Sequence, residues 1–229
     1  FSSSWLAHAE RYVEQASERL SLGRDSLVVE VASNDGYLLQ YMAARGIPCV
    51  GIEPTAGTAE AARAKGIETI VEFFGADFAR RFVAQRGRAD LILGNNVLAH
   101  VPDIDDFVAG LREALAPAGS ITVEFPHLLK LVQEAQFDTI YHEHFSYLSL
   151  RTVQRIFAAE GLRCGTSRRC RRTAGRCGSG PSMRRTRGRW RRGSLRCSRR
   201  KTPPACAATP STAACRPGPT RSSTTCSPS

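Results

Sequence analysis

Apolar residues recur along residues 1–163 in two patterns, one typical of buried strands and one typical of amphipathic helices. Short β-branched runs predict strands, and longer segments with apolar residues three or four positions apart predict the helices between them. The predicted strands are Leu27–Val31, Cys49–Ile52, Glu68–Glu72, Asp90–Leu93 and Ser120–Phe125. The predicted helices are Trp5–Leu20, Tyr37–Ala44, Ala56–Lys65, Phe78–Gln85, Asp103–Leu115 and a last one that Ser149 caps and that runs through Glu160.

The alternation of strands and helices predicts an α/β fold, with a doubly wound, mainly parallel sheet covered by helices on both faces. We assign residues 1–22 to an N-terminal linker helix and residues 23–163 to this domain. A further strand begins at residues 161–163, but the sequence that follows loses the composition of a strand. We therefore expect that strand to be missing and residues 164–229 to form a disordered, low-complexity basic tail.

Charge divides the chain at the same point. All 21 acidic residues lie in residues 1–163 with 15 of the 32 Lys and Arg residues, so this part carries a net charge of −6. Residues 164–229 hold the other 17 basic residues, for a net charge of +17, and their only large apolar residues are Met183, Trp190 and Leu195. A genuine tail of this kind would favour nucleic acid or another acidic partner.

A shift of the reading frame is a second explanation of the tail. A shift by one nucleotide turns Cys codons into Leu, Val or Met codons and Thr codons into Asp, Asn, His or Tyr codons. Applied to Cys170–Ser179, it permits the sequence Leu-Pro-Thr-His-Gly-Gly-Ser-Leu-Arg-Val. We favour this explanation, under which the tail is the remnant of a C-terminal domain and no nucleic-acid partner is expected.

Several features bear on the location of the protein. Cys49 is the only cysteine in residues 1–163, which favours a reducing compartment without a disulfide framework. No apolar run approaches about 18 residues, so no membrane span is expected. The chain starts at Phe1 without a signal peptide or an initiating Met, and we expect a cytoplasmic fragment of a longer protein. The tail cysteines lack the CxxC spacing of zinc sites, so no metal site is predicted.

The turn Ala32–Gly36 follows the first predicted strand, where doubly wound sheets bind cofactors. It lacks the glycines of a phosphate-binding turn and adds Asp35, which favours a cofactor without phosphates. S-adenosylmethionine fits, because its sulfonium is cationic and its amino-acid end needs donors and acceptors. Glu53 ends the second strand 23 residues after Glu30 and is the candidate for the ribose hydroxyls. The alternative is an ordinary α/β turn in which Asp35 caps a helix.

Candidate cofactor residues therefore lie at the ends of several strands. Phe73 and Phe74 follow the third strand and either flank an adenine or belong to the core, which is the commoner place for aromatic residues. The candidate cofactor residues are Glu30, Ala32, Asn34, Gly36, Glu53, Phe73 and Asn95.

The stretch Phe137–Leu150, FDTIYHEHFSYLSL, concentrates titratable side chains. A histidine, with an ordinary pKa of about 6.5, suits the role of a general base at neutral pH. If the stretch is extended, Tyr141 and Glu143 point to one side and His142 and His144 to the other, so only one histidine faces a substrate. The residues alone do not choose between the two histidines. The alternative is a polar structural loop with hydrogen-bonded histidines.

Asn96 and His100 form a second candidate pair after the fourth strand. They lie four residues apart and share a face if that segment is helical. The alternative is a helix cap for Asn96 and a surface position for His100.

Five segments, EVASNDGYLL, GIEP, VEFFG, NNVLAHVPD and YHEHFSYLS, make residues 1–163 resemble the sugar C-methyltransferases that act on nucleotide-linked 4-keto-deoxysugars. The resemblance implies a Rossmann-like class I methyltransferase domain that uses S-adenosylmethionine. It implies zinc only in an N-terminal domain that would precede Phe1. It also implies a C-terminal domain after Arg163 and a His-Gly-Gly-Ser stretch soon after the last strand, which the frame shift would restore.

The resemblance also implies a chemistry and roles for the candidate residues. A base removes a proton next to a ketone, and the enolate attacks the methyl group of the sulfonium. His144 would be the base, with Glu143 and Tyr141 placing the sugar or polarising His144. The candidate substrate-binding residues are Asn96, His100, His142 and Tyr147. Two other functions stay open: a nucleic-acid methyltransferase that uses the basic tail, and a non-catalytic module that binds nucleotide sugars.

Overall fold

The computed structural model describes residues 2–167 and 195–199 of the 229-residue chain. Helices and strands alternate along residues 2–167. The strands are β1 (Val28–Val31), β2 (Cys49–Ile52), β3 (Thr69–Ile70), β4 (Ala89–Asn95), β5 (Leu115–Glu124), β6 (Leu162–Ser167) and β7 (Leu195–Arg199). The α-helices are α1 (Ser3–Leu20), α2 (Leu39–Ala43), α3 (Ala56–Ala64), α4 (Ala76–Arg86), α5 (Ile104–Ala114), α6 (Leu128–Gln133) and α7 (Leu150–Ala159). Two 3-10 helices lie at Leu98–His100 and Phe137–Thr139.

The strands form one sheet in the order β3-β2-β1-β4-β5-β7-β6. Strands β1 to β5 pair in parallel, and β7 pairs antiparallel with β5 and β6. The predicted doubly wound, mainly parallel sheet is confirmed. From β1 the chain continues towards one edge of the sheet, and from β4 towards the other. This reversal opens a crevice at the carboxyl ends of β1 and β4, where such sheets bind ligands.

Our expectation that the strand after Gly161 would be missing was wrong. β6 runs through Ser167, and five residues of the tail form β7 between β5 and β6. Ladder hydrogen bonds use main-chain groups that every residue except proline can supply, and the open edge of β5 presents a row of them. The rest of the tail, including the stretch on which the frame-shift hypothesis depends, lies outside the described residues.

Two apolar layers cover the sheet, and the strands alternate between them. Val29 and Ile92 face the layer that contains α4, α5 and α7, whereas Val28 and Leu91 face the layer that contains α1 and α2. This alternation is the period-2 pattern of a strand. The same alternation therefore decides on which face of the sheet each polar residue near the carboxyl end of a strand lies.

Helix α1, which we predicted as a linker, packs on the sheet. The side chain of Ser2 caps its first turn, and the helix ends at Ser21, whose φ is 52°. Val13 is fully buried in the apolar layer that contains α1 and α2. The Tyr12 hydroxyl forms a hydrogen bond of 2.6 Å with the Thr122 hydroxyl of β5. The helix thus belongs to the same packed body as the strands.

Several element bounds differ from the prediction. β3 has only two residues, β4 extends two residues beyond the predicted strand, through Asn95, and β5 begins at Leu115, directly after α5. Helix α6 was not predicted. It buries none of its residues, so no apolar face marks it in the sequence.

The described part of the chain lacks the features of a membrane span and of a metal site. None of its helices is both long and apolar enough to cross a membrane. No group of three or more His, Cys, Asp or Glu side chains there is arranged to hold a metal ion.

Replacing Gly110 of α5 by Ala should destabilise the protein, although Ala normally favours a helix by about 1 kcal/mol over Gly. A Cβ atom at this position would lie 2.7 Å from the carbonyl carbon of Gly75 and 2.8 Å from its oxygen, so α4 would have to move. We expect the free energy of unfolding to fall by about 1–3 kcal/mol, measured by urea denaturation.

Gly57→Ala is the matched control, because no atom lies within 4 Å of the Cβ that it adds to α3. This variant should be as stable as the parent protein or more stable by up to about 1 kcal/mol. Equal shifts in the two variants would contradict the assigned close contact between α5 and Gly75.

Candidate active site

The turn Ala32–Gly36 lies in the crevice next to the end of β1. Ala32 and Asn34 both have a φ of 53°, and Gly36 has a φ of 72°. Left-handed backbone costs a residue with a side chain on the order of 1–3 kcal/mol and persists only where its surroundings hold it. The predicted turn is therefore a strained and specifically supported element of the site.

Glu53 supplies much of that support. It directly follows β2 and is only 7% exposed. Its Oε2 accepts a hydrogen bond from the Asn34 N–H and its Oε1 accepts one from the Thr55 N–H, each at 3.0 Å. The carboxylate joins the turn after β1 to the loop after β2, so the structure brings together the two predicted parts of a cofactor site.

Glu30 lies in β1 beneath this turn with 1% of its surface exposed. Neither of its carboxylate oxygens has a hydrogen-bond partner among the described residues. Burial raises the pKa of Glu30 well above its ordinary value, and the nearby Asp35 and Glu53 charges raise it further. A buried carboxyl group without a partner is unfavourable, and a cationic ligand would compensate it.

Lys65 neutralises the exposed side of the turn. Its Nζ lies 2.7 Å from Oδ2 of Asp35 and donates to the Asp35 carbonyl oxygen at 2.9 Å. Asp35 is thus held by an ion pair with the residue that follows α3, and the helix-cap alternative is not what the structure shows for this side chain.

The YHEH stretch is a turn, so the side-chain directions considered for an extended chain do not apply. The His144 N–H donates to the Tyr141 carbonyl oxygen at 3.0 Å. As a result, the rings of Tyr141 and His144 lie on the same side, with centroids 4.2 Å apart. The side chains of His142 and Glu143 are exposed.

Among these side chains, His144 has the geometry of a base. Its Nδ1 lies 2.7 Å from the Thr139 carbonyl oxygen. A carbonyl oxygen only accepts, so Nδ1 carries a proton and Nε2 of the neutral ring keeps its lone pair. The rings of His100 and Tyr147 lie nearby, with centroid separations of 4.7 Å and 6.0 Å.

The segment after β4 holds the YHEH turn in place. The Ala99 carbonyl oxygen accepts from the Phe145 N–H at 2.8 Å and from the Ser146 N–H at 3.3 Å. The His100 ring hydrogen-bonds the main chain of Glu143. Burial lowers the pKa of His100, the charge of His144 lowers it further, and Glu143 opposes both effects.

Asn96 and His100 do not share a helical face, because the condition of a helical segment between them is not met. Asn96 has a φ of 54° and precedes the short 3-10 helix that ends at His100. Its N–H donates to the Glu124 carbonyl oxygen at 2.7 Å, which ties the end of β4 to the end of β5.

The two phenylalanines after β3 have different surroundings. Phe73 is 80% exposed and is free to cover a ligand. Phe74 packs against Phe78 and Phe107, with ring centroids 5.9 Å and 5.5 Å away, and belongs to the core.

Tyr37, Trp5 and Glu124 border the site and were not predicted. The Tyr37 hydroxyl hydrogen-bonds the Asn95 side chain and lies near Glu30 and Glu124, and the Tyr37 ring lies 6.3 Å from the Trp5 ring between centroids. Burial raises the pKa of Tyr37, and the neighbouring Glu30 raises it further. The only signal in the sequence was the position of Tyr37 directly after the turn.

The methyltransferase domain family matches residues 5–166, which is more than two thirds of the chain. The chain belongs to this family. C-methyltransferase NovU of Streptomyces niveus is 38% identical over 162 residues, which are 71% of this methyltransferase and 39% of NovU. The ubiquinone biosynthesis O-methyltransferase of Chelativorans sp. (strain BNC1) is 32% identical over 97 residues, 42% of this chain and 38% of that one. The chain thus spans about two fifths of the length of these relatives.

Solved structures support the fold. Magnesium protoporphyrin IX methyltransferase of Synechocystis PCC 6803 with bound SAH superposes with a TM-score of 0.55 at 14% identity, covering 86% of this chain and 83% of that one. An S-adenosylmethionine-dependent methyltransferase of Clostridium acetobutylicum ATCC 824 gives a TM-score of 0.58 at 10% identity, covering 83% and 90%. The expected class I methyltransferase fold is confirmed.

In this methyltransferase His100 should titrate below the ordinary value of about 6.5. The pKa of His100 is lower in the folded chain than in the unfolded chain. The neutral ring therefore contributes to the stability of the fold at pH values above the pKa of the unfolded chain. That contribution is lost as the pH falls from the unfolded pKa towards the folded one. NMR titration of the histidine ring protons measures the midpoint.

His144→Gln should raise the His100 midpoint, because a positive charge no longer develops beside it. His8→Gln is the control and should leave that midpoint unchanged, because the His8 ring contacts Trp5 on α1. An unchanged or lower His100 midpoint in His144→Gln would show that the two rings are not coupled.

Proposed function

We propose that this chain is the catalytic domain of an S-adenosylmethionine-dependent C-methyltransferase that acts on a nucleotide-linked 4-keto-deoxysugar. The observation that carries the proposal is the His144 ring, whose Nδ1 is bound to the Thr139 carbonyl oxygen so that Nε2 is left as an acceptor. The name of the 38% identical relative, a C-methyltransferase, and the resemblance of the YHEH segment to the sugar C-methyltransferases support it.

The residues around the first turn suit S-adenosylmethionine. The unpartnered carboxyl group of Glu30 lies where a cation would relieve its burial, and Glu53 keeps lone pairs for ribose hydroxyls beside its two backbone donors. Two solved structures with this fold, both of the Synechocystis enzyme, contain bound SAH or SAM. When bound, S-adenosylmethionine supplies an electrophilic methyl group on a positively charged sulfur.

Methylation of carbon requires a carbanion equivalent, and His144 is placed to generate one. Its Nε2 takes a proton from the carbon next to the ketone, and the electrons of the broken C–H bond form an enolate. The new C–C bond forms as the bond between sulfur and methyl breaks. The proton passes from the partly exposed His144 ring to solvent, which restores the base.

Two neighbours help His144 to accept that proton. The Thr139 carbonyl oxygen accepts the Nδ1–H bond, and this bond strengthens when the ring becomes positively charged. Burial lowers the pKa of His100, so this adjacent ring stays neutral and does not repel the developing charge. Tyr141 lies against the His144 ring and limits the side from which a sugar can approach.

His144→Gln should abolish methyl transfer to a nucleoside-diphosphate-linked 4-keto-6-deoxyglucose, while its affinity for S-adenosylmethionine stays within a few-fold of the parent. It should also abolish exchange of the hydrogen next to the ketone with deuterium from solvent, which NMR follows without any methyl transfer. The product of the parent protein should carry its methyl group on carbon.

His142→Gln separates the two histidines of the turn. The His142 side chain is exposed, so this variant should keep hydrogen exchange even if it binds the sugar less well. Loss of exchange in His142→Gln and its retention in His144→Gln would overturn the assignment of the base. A methyl group on oxygen would overturn the proposed reaction.

Glu53→Ala should weaken binding of S-adenosylmethionine at least tenfold, because it removes the ribose acceptor and releases the Asn34 N–H in the turn. Isothermal titration calorimetry gives the dissociation constant. Glu60→Ala is the control, since Glu60 is exposed on α3 and should bind as the parent does. Full affinity in Glu53→Ala would remove Glu53 from the cofactor site.

A further inference from the structure

Ser33 carries the only side chain of the turn Ala32–Gly36 that is fully buried. Asn34 is exposed, and Ala32 and Asp35 are half-buried. The Ser33 Oγ has no hydrogen-bond partner among the described residues. A buried hydroxyl without a partner is unfavourable, so hydrogen bonding does not explain why this side chain points into the protein.

The shape of β2 explains the position of Ser33, because β2 has a gap at Gly51. A Cβ atom at Gly51 would overlap the Ser33 Oγ, and it would lie 2.9 Å from the Ser33 Cβ and 3.2 Å from the Thr69 Oγ1. The Ser33 side chain thus fills the space that a side chain at this position of β2 would take. Rotation of the hydroxyl could move Oγ away, but Cβ is fixed to the main chain of the turn. A side chain at Gly51 would therefore displace the turn itself.

The end of the turn also lies close to its neighbours, at Gly36. A Cβ atom at Gly36 would lie 3.1 Å from Cγ1 of Ile67 and 3.3 Å from Cβ of Ala62. The main chain of the turn therefore packs directly on α3 and on the loop that precedes β3. Close packing at both Gly51 and Gly36 fixes how deep the turn lies on this side of the sheet.

The depth of the turn decides whether the end of β2 can hold it. The Ser33 N–H donates to the Ile52 carbonyl oxygen at 3.2 Å, and the Asn34 N–H donates to Oε2 of Glu53 at 3.0 Å. Both bonds require the turn to lie this close to β2. A turn displaced from Gly51 would lengthen both bonds and release the carboxylate of Glu53.

We propose that Ser33 and Gly51 form a steric lock, a side chain seated in a gap of the neighbouring strand, that positions the turn and, through the Asn34 N–H, the carboxylate of Glu53. Ser33 and Gly51 are positioning residues, because both are buried and act on the cofactor through Glu53. The inference rests on S-adenosylmethionine as the cofactor and on Glu53 as its ligand, but not on the proposed sugar substrate.

Gly51→Ala should weaken binding of S-adenosylhomocysteine to the full chain about 5- to 100-fold, because the added Cβ displaces the turn. Isothermal titration calorimetry gives the dissociation constant. The same substitution should have no effect in a Ser33→Gly background, because that background lacks both Ser33 atoms that the added Cβ meets. An equal loss of affinity in the two backgrounds would overturn the steric lock.

Gly119→Ala of β5 is the matched control. Its Cβ would lie 2.8 Å from the carbonyl oxygen of Ala89, so this substitution also overfills a strand of the sheet. Ala89 is the first residue of β4, and the contact therefore lies at the end of the sheet opposite to the site. Gly119→Ala should lower the melting temperature and leave the affinity for S-adenosylhomocysteine unchanged. If Gly51→Ala and Gly119→Ala weaken binding equally, the cause is a general loss of packing and the steric lock is wrong.

A double-mutant cycle tests whether the steric lock acts through Glu53. The losses of affinity in Gly51→Ala and Glu53→Ala should be less than additive, because both variants release the bond between the Asn34 N–H and the Glu53 carboxylate. Fully additive losses would show that the lock does not act through Glu53.

Thermal melting identifies a variant that fails to fold and then decides the outcome by itself. If Gly51→Ala does not fold, recovery of a cooperative melting transition in Gly51→Ala with Ser33→Gly would support the steric lock. A double variant that also fails to fold, while Ser33→Gly alone folds, would contradict it.

Failure of the proposed function looks different. A parent protein that does not bind S-adenosylhomocysteine would overturn the cofactor and the role of the steric lock together. A parent protein that binds S-adenosylhomocysteine but methylates no ketosugar would overturn only the substrate, and the affinities of the Gly51 and Ser33 variants would still decide the lock.

Discussion

The site depends on one constraint of the sheet, the adjacency of β1 and β4. The chain leaves these neighbouring parallel strands in opposite directions, so within residues 2–167 the connections after β1 and β4 diverge and leave a crevice above their carboxyl ends. β1 leads into the strained turn Ala32–Gly36 at that space. β4 ends there with Asn95, and Asn96 follows it. The other parts of the site attach to these two by hydrogen bonds to the main chain. Glu53 holds the turn, and the Ala99 carbonyl oxygen holds the YHEH segment.

The two sides of the crevice differ in charge, and this difference suits two different tasks. On the β1 side lie three carboxyl groups, those of Glu30, Asp35 and Glu53, and Lys65 pairs with the exposed one, Asp35. Glu30 is buried at a cost that nothing in the described part of the chain relieves, so a cation bound beside it would stabilise the fold. On the β4 side, His100 and His144 face each other, and the burial of the first favours proton uptake by the second.

Much of the fold and part of the site could be predicted from the sequence, for reasons that are visible in particular residues. The bounds of the largely buried strand β2 were predicted correctly. Glu53 directly follows β2, and its distance along the chain from Glu30 is typical of a ribose-binding acid. The choice between His142 and His144 could not be predicted, because it depends on a turn closed by the His144 N–H. β7 could not be predicted either, since main-chain pairing with β5 does not depend on an apolar pattern.

The prediction that α1 is a linker outside the domain shows another limit of what a sequence pattern can predict. An amphipathic helix requires an apolar partner, but its own pattern does not say which surface supplies it. In the structure that surface is the face of the sheet shared by Val28 and Leu91, and the helix therefore ends up beside Glu30 and Asn95. The assignment of residues 1–22 as a linker remains a prediction about boundaries, whereas the hydrogen bond of Tyr12 to Thr122 and the ring contact of Trp5 with Tyr37 pack this helix against the sheet and the first turn.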